Sequence, residues 1–255
     1  MLESMTVTVE QLVCPACGGA LRSVGSVLEC RGCGRRYPLR DGVPSLTLAN
    51  TREDDTTSGL LGRVLHAVVA VPAVYDLAQR LAGREVIQRK LRNALSDARN
   101  NSSVLDVGAG TGSLQAALHS SASYVWLDND PQKLSGFRTK SDAAAVLADA
   151  TRIPLQDGSV DWAVSVGVSH HLGDDGLDLM LDELRRVVLE RVVFLDAVWT
   201  SARTSRLLWR YDRGAHPRTA EELRRRFEER FELVSDETFA VRHTYVLFSG
   251  RPRRA

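Results

Sequence analysis

The chain has 255 residues, enough for one large α/β domain and a small satellite. Its 33 Lys and Arg against 32 Asp and Glu leave a formal charge of +1, which argues against a strongly basic nucleic-acid binder and against an acidic tail. Residues 1–7 lack the basic and apolar regions of a signal peptide, and the most apolar run, 64–74, is interrupted by His66 and Pro72 and is too short to span a bilayer. A cytoplasmic location is the expectation.

The four cysteines all lie near the N-terminus, in Cys14-Pro15-Ala16-Cys17-Gly18 and Cys30-Arg31-Gly32-Cys33-Gly34. Two C-x-x-C-G knuckles suit one tetrahedral zinc ion, with glycine permitting the turn that aims N–H groups at the thiolates. The alternative, two disulfides or a redox pair, fits poorly without an export signal. With four protein ligands such a site is closed and structural, and its metal would supply much of the folding energy of so small a module.

Residues 11–48 carry more than the knuckles. Leu12-Val13-Cys14-Pro15-Ala16-Cys17-Gly18-Gly19-Ala20-Leu21, then Cys30 to Cys33, then Tyr37-Pro38-Leu39-Arg40-Asp41-Gly42-Val43-Pro44 resembles the family of small zinc-ribbon subunits that activate methyltransferases. The resemblance implies that a fused copy covers an apolar or edge-strand surface in cis. Arg22, Arg31, Arg35, Arg36 and Arg40 keep open a nucleic-acid grip instead.

Residues 50–57 read as a polar linker. Helices are expected over 59–82, where Leu60, Leu61, Val64, Leu65 and Val68 repeat at helical spacing, and over 84–98; Pro72 kinks the first.

Ser103-Val104-Leu105-Asp106-Val107-Gly108-Ala109-Gly110-Thr111-Gly112 then runs from strand character into glycines at every second position, and an apolar helix start, Ser113 to Leu118, follows. Glycines there leave no Cβ between main chain and ligand, and a helix start offers N–H groups. The pattern departs from the dinucleotide G-x-G-x-x-G. Asp106 would repel a pyrophosphate but suits a ligand carrying ammonium and sulfonium charge. The stretch resembles motif I of class I methyltransferases that use S-adenosylmethionine.

That resemblance implies a Rossmann-like seven-stranded α/β sheet and makes Asp106, Gly108, Ala109, Gly110 and Gly112 cofactor contacts. It also implies that the helices ahead of the first strand cover the cofactor, with Tyr75 as a contact and Asp76 and Arg80 nearby. Tyr124 to Asp128 reads as the second strand, where Asp128, about twenty residues past the loop, would accept the ribose hydroxyls beside Asn129. Asp130 before Pro131 reads as a helix cap. Val146 to Ala150 ends a third strand, with Asp149 and Ala150 at the adenine; a loop cap is the alternative for Asp149.

Val160 to Val168 is the fourth strand, leading through Gly167 to Ser169-His170-His171-Leu172. The pattern from Ala148 to Leu172 is similar to small-molecule and lipid class I methyltransferases, with Asp157 and Ser159 shaping the turn before the strand. No Asn/Asp-Pro-Pro-Tyr/Phe stands there, which argues against methylation of adenine bases or glutamine. A helix over 174–188 passes into strand five without the Pro-Gly-Gly turn of the pattern. Residues 197–218 read as an insertion in which Trp199, Trp209, Tyr211 and His216 interleave with Arg203, Arg206, Arg210, Arg213 and Arg218. They suit an aromatic or anionic substrate or stacked RNA bases; a partly buried helix with solvated arginines is the alternative. Thr219-Ala220-Glu221-Glu222 makes a capping box, Leu223, Phe227 and Phe231 give that helix its buried stripe, and Arg224, Arg225 and Arg226 are expected on its exposed face. Segments 232–237 and 244–249 read as antiparallel closing strands.

The expected organisation is a zinc ribbon at 1–49, linker and covering helices at 50–102, and a methyltransferase domain at 103–255. The expected cofactors are S-adenosylmethionine and one zinc ion on Cys14, Cys17, Cys30 and Cys33. The acceptor is expected to be a small molecule or lipid. His171 is the first candidate base and His216 the second, with Asp196 possible and His170 facing outward. A ribosomal or transfer RNA methyltransferase, and a non-catalytic cofactor-binding partner subunit, are the other readings; near-neutral charge weighs against RNA.

Overall fold

The computed structural model describes residues 11–48, 84–98, 101–202, 205, 209, 216–241 and 243–254. The linker, the helix expected over 59–82, Tyr75, Asp76 and Arg80 lie outside them, as do Tyr211 and the arginines at 203, 206, 210 and 213.

The ribbon folds as an antiparallel sheet of β1 (Leu21–Val24), β2 (Val27–Cys30), β3 (Arg36–Arg40) and β4 (Val43–Pro44), in that order. Helix α1 (Arg84–Ala94) precedes the main sheet. The strands of that sheet are β5 (Ser103–Val107), β6 (Ser123–Asp128), β7 (Ala144–Leu147), β8 (Val160–Val166), β9 (Val188–Val198), β10 (Phe231–Ala240) and β11 (Thr244–Pro252). They are ordered β10-β11-β9-β8-β5-β6-β7, with β10 and β11 antiparallel and the rest parallel. This is the expected seven-stranded class I arrangement. Strand order reverses at β5, so the crevice for a ligand opens at its carboxyl end.

Alternation in the strands explains the layers. Leu105, Val107, Val125, Leu127 and Ala163 face one core, while Val104, Tyr124, Trp126, Trp162 and Val164 face the other. Helices α2 (Pro131–Arg138), α3 (Asp174–Val187) and α4 (Ala220–Glu228) bury Leu134 and Phe137, Leu177 to Val187, and Leu223 and Phe227 respectively. The main-sheet core continues into the ribbon: Leu12, Leu28, Tyr37 and Leu46 belong to the same buried cluster as Leu105 and Val125. The contact includes backbone pairing. Leu46 N–H donates to Leu147 O at 2.7 Å beside a parallel bridge from Ser45 to Leu147 on the outer strand β7. Val13 N–H donates to Pro154 O at 3.0 Å, and Leu12 bridges Leu155. The ribbon thereby covers the free edge of β7, where unpaired N–H and C=O groups would otherwise face solvent.

Several local expectations change. The segment after Gly112 is a single 3-10 turn, Ser113–Ala117, because Leu118 is extended and only four residues separate it from β6. Helix α3 runs straight into β9: Val188, its C-cap, donates to Leu184 O and is itself the first strand residue. Ala197 and Val198 belong to β9, so the insertion begins at Trp199. Arg226 leaves the exposed face to pair with Asp174 and Asp178, with only 14% of its side chain accessible. Both bonds of the Thr219–Glu222 capping box are present.

Candidate functional site

At the N-terminal centre, the four cysteine sulfurs lie within 4.8 Å of one another, with Cys14 and Cys33 Sγ 3.7 Å apart and Cys17 and Cys30 Sγ 3.5 Å apart. Zinc at the usual ~2.3 Å from each sulfur would set neighbouring thiolates about 3.8 Å apart, so the cluster fits one tetrahedral ion. Cys33 and Gly32 N–H groups point at Cys30 Sγ and hold its pKa down, at about 6. Tyr37 Oη lies 3.0 Å from Cys14 Sγ, orienting that ligand from outside.

At the carboxyl end of β5 the chain turns through Gly108, with its N–H and that of Ala109 on Leu127 O at 2.9 and 3.0 Å. Two of the loop glycines are required sterically. A Cβ on Gly108 (φ 71°) would lie 2.3 Å from Val168, and one on Gly112 (φ 73°) would lie 2.4 Å from Phe137, which stacks on Trp126. Gly110 faces open space, with its carbonyl accepting Trp126 Nε1–H at 2.9 Å.

Around that space stand the acids. Asp128, 3% exposed, accepts Gly110 N–H on Oδ2 at 2.9 Å and Asp130 N–H on Oδ1 at 3.0 Å, while Lys133 Nζ lies 3.5 Å away. Oδ1 keeps a lone pair for a hydroxyl donor, whereas Oδ2 already faces both Gly110 N–H and Lys133. Asn129 is exposed next to it. Asp130 caps α2 through Gln132 N–H. Asp149 Oδ1 accepts Thr151 N–H and Oγ1–H, both at 2.8 Å, so one of its oxygens serves as a loop cap; Ala150 follows, half-buried.

Asp106 is fully buried and accepts the Tyr124 hydroxyl at 2.5 Å. Burial pushes its pKa up to about 7; the Tyr124 hydrogen bond opposes this and the nearby Asp128 charge adds to it. A carboxyl poised in this way gains most from a cation.

Across the crevice, β8 ends at Val166 and Gly167, and a 3-10 turn, Ser169–His171, follows. The two histidines differ in the opposite sense to expectation. His170 is turned inward, 12% accessible, with Nδ1 2.5 Å from Asp196 Oδ1; His171 is exposed. Asp196, completely buried at the end of β9, also accepts Ser169 N–H at 2.7 Å and Ser169 Oγ–H at 2.6 Å. Burial acts to raise its pKa, but His170, Ser169 and Ala197 N–H more than offset that and hold it low. The 3-10 geometry turns the first histidine toward β9, which residue spacing does not reveal.

His216 is exposed, and its N–H donates to His170 O at 3.0 Å. Arg218 is not a substrate-facing cation. It is 7% exposed and donates to Ser169 O, Leu172 O and Asp174 at 2.8, 2.7 and 3.0 Å, clamping both ends of the histidine turn. Trp209 stands edge-on to His170 with ring centroids 5.7 Å apart.

Residues 104–190 match the methyltransferase domain family and residues 8–42 the Trm112p-like protein family. A protein of transposon TN4556 from Streptomyces fradiae is 30% identical over 162 residues, which are 59% of this chain and 46% of that protein. The chain thus spans about half the length of that relative. The N-methyltransferase NodS of Bradyrhizobium japonicum, solved with S-adenosyl-L-homocysteine, superposes with a TM-score of 0.59 at 16% identity, over 75% of this chain and 98% of that chain. A complex of the Trm112 methyltransferase activator of Haloferax volcanii with a methyltransferase gives 0.57 at 18% identity, over 71% of this chain and 96% of that chain. No helix among the described residues is long and apolar enough to cross a membrane. Residues 104–190 thus carry a methyltransferase domain on a class I fold with an S-adenosylmethionine site, and residues 8–42 a Trm112p-like ribbon with a four-cysteine zinc site.

Proposed function

We propose that the protein transfers a methyl group from S-adenosylmethionine to a small-molecule or lipid acceptor, with its ribbon acting in cis as a structural cover for the sheet. The observation that carries the cofactor reading is Asp128, a buried carboxylate at the tip of β6 beside the open face of Gly110. Asp128 with Asn129 holds the ribose, Asp149 and Ala150 the adenine, and Asp106, the 108–112 loop and Gly167 the methionine end; Tyr75 is assigned to the covering segment. The bound cofactor supplies an activated methyl on a sulfonium. The protein's residues supply alignment and exclusion of water, effects worth about 7–11 kcal/mol when the reacting groups are held together.

Two features favour a small acceptor over RNA. Trp199 N–H donates to Arg218 O at 2.8 Å and His216 N–H to His170 O, hydrogen bonds that lie beside the histidine turn. Backbone held so close to the turn favours a confined acceptor. On the ribbon, Arg22 and Arg36 both pair with Glu29, which weakens a basic face. For the ribbon itself, the pairing of Ser45 and Leu46 with β7 favours a stabilising role.

The test is binding of S-adenosylmethionine and S-adenosylhomocysteine by calorimetry, followed by transfer of labelled methyl to a cell extract separated into small-molecule, lipid and RNA fractions. Label in the small-molecule or lipid fraction, insensitive to salt, is expected. Label confined to RNA, or cofactor binding without turnover on any fraction, overturns the reading.

A further inference from the structure

His170 and Asp196 stand 26 residues apart in the chain and meet at the crevice. Three groups of one turn converge on the Asp196 carboxylate: Ser169 N–H, Ser169 Oγ–H and the His170 ring. The imidazole lies over the end of β8, where a Cβ placed on Gly167 would make an ordinary 3.6 Å contact with His170 Cε1. The next residue, Val168, packs directly on Gly108 of the cofactor loop. The ring therefore stands one side chain away from the loop, at the strand end where the acceptor enters. Around it are Asp196 from β9, His171 on its own turn at 4.3 Å between ring centroids, and His216 and Arg218 from the segment ahead of α4, with Trp209 at its edge.

We propose that His170, oriented by Asp196, is the proton acceptor of the reaction and that the methyl acceptor is a hydroxyl, an alcohol or phenol; this rests on the methyltransferase reading above. With Nδ1–H committed to Asp196, the proton is taken at Nε2. As the acceptor oxygen bonds the methyl carbon, the carbon–sulfur bond breaks with its electron pair left on sulfur, and the O–H proton passes to Nε2. One positive charge leaves the sulfonium and one appears on the imidazolium, so the net charge of the site is unchanged, and Asp196 stabilises the imidazolium. The proton then passes to solvent. A thiol, ionising near about 8.5, needs such a base less, whereas a phenol, with a pKa near that of tyrosine at about 10, or an alcohol gains most from a base near neutrality.

The experiment uses the full chain with S-adenosylhomocysteine bound. Nitrogen-15 imidazole spectra should place the neutral His170 proton on Nδ1 and show a titration whose midpoint falls by about one pH unit in Asp196→Asn, through loss of the facing charge. A His170 proton on Nε2, or no titration between about pH 4 and 9, overturns the proposal. His170→Gln should keep its S-adenosylhomocysteine affinity, which verifies the fold, and lose at least about 100-fold in turnover. Label transferred by the wild-type protein to a small-molecule extract should be recovered as methyl ether. Full turnover in His170→Gln, or label on nitrogen, sulfur or carbon, refutes the dyad. Absence of S-adenosylhomocysteine binding would instead defeat the methyltransferase reading, and imidazole spectra of the unliganded chain still decide the dyad.

Discussion

The buried Asp106 makes stability depend on pH in a direction unusual for a carboxylate. In the unfolded chain its proton leaves near the ordinary 3.8, whereas in the folded protein, without a bound cation, it stays until about 7. Between those values the folded state binds the extra proton, so stability falls as pH rises through the window and levels off above 7. At about 1.36 kcal/mol per pH unit, the full cost above pH 7 is ~4 kcal/mol, and about 2 kcal/mol of it develops between about pH 5.5 and 8. Asp106→Asn keeps an acceptor for the Tyr124 hydroxyl and removes the charge. The cofactor-free variant should therefore gain about 2 kcal/mol on wild type between those pH values, or ~4–8 °C in melting temperature for a chain of this size. Calorimetric melting of both proteins across the range measures this. A wild-type-minus-variant difference that stays constant from pH 5.5 to 8 refutes the reasoning. The bound state supplies the complement: affinity of the wild type for S-adenosylmethionine should tighten about tenfold between pH 6 and 8 as Asp106 ionises toward the cation, and the variant should lack that step.

Three further outcomes follow from the packing. Stripping zinc with a chelator should lower the melting temperature of the whole chain in one transition, because ribbon and sheet share a buried cluster; an unchanged transition for the sheet would separate the two. Gly112→Ala should destabilise by about 1–3 kcal/mol and weaken S-adenosylhomocysteine binding, since its Cβ meets Phe137 in a left-handed backbone; unaltered melting and binding would contradict the loop geometry. Arg218→Met should cost about 1–3 kcal/mol by orphaning Ser169 O and Leu172 O. Turnover should fall while S-adenosylhomocysteine affinity holds, measured by calorimetry beside a methyl-transfer assay.

What could be read in the sequence was local chemistry. The cysteine knuckles, the Asp130 cap and the Thr219–Glu222 box depend on residues within a turn of each other, so spacing alone places them. The strand series was legible because each strand is an apolar run bounded by a turn. The rest depends on partners far along the chain. Nothing near His170 distinguishes it from His171; Asp196 does, from β9. Arg218 and Arg226 look like solvated charge until Ser169, Leu172, Asp174 and Asp178 come to meet them. The helix expected after Gly112 failed on length, a quantity the apolar start at Ser113 does not reveal.

The ribbon's place follows from the same reasoning about edges. A parallel sheet ends at β7 with one side of its backbone unpaired, and that strand is only four residues long, Ala144–Leu147. Alone it would offer Leu147 O to solvent or to another chain. The ribbon answers with Leu46 N–H and with buried Tyr37, Leu28 and Leu12 behind it. Since Asp149 and Ala150 follow β7 after Ala148 alone, the strand that the ribbon completes also leads into the proposed adenine contacts. Leu46→Pro removes that donor without touching the cysteines. It should weaken S-adenosylhomocysteine binding while zinc content, read by atomic absorption, stays at one per chain. Unchanged affinity in a zinc-loaded variant would mean that covering the edge and shaping the adenine side are independent.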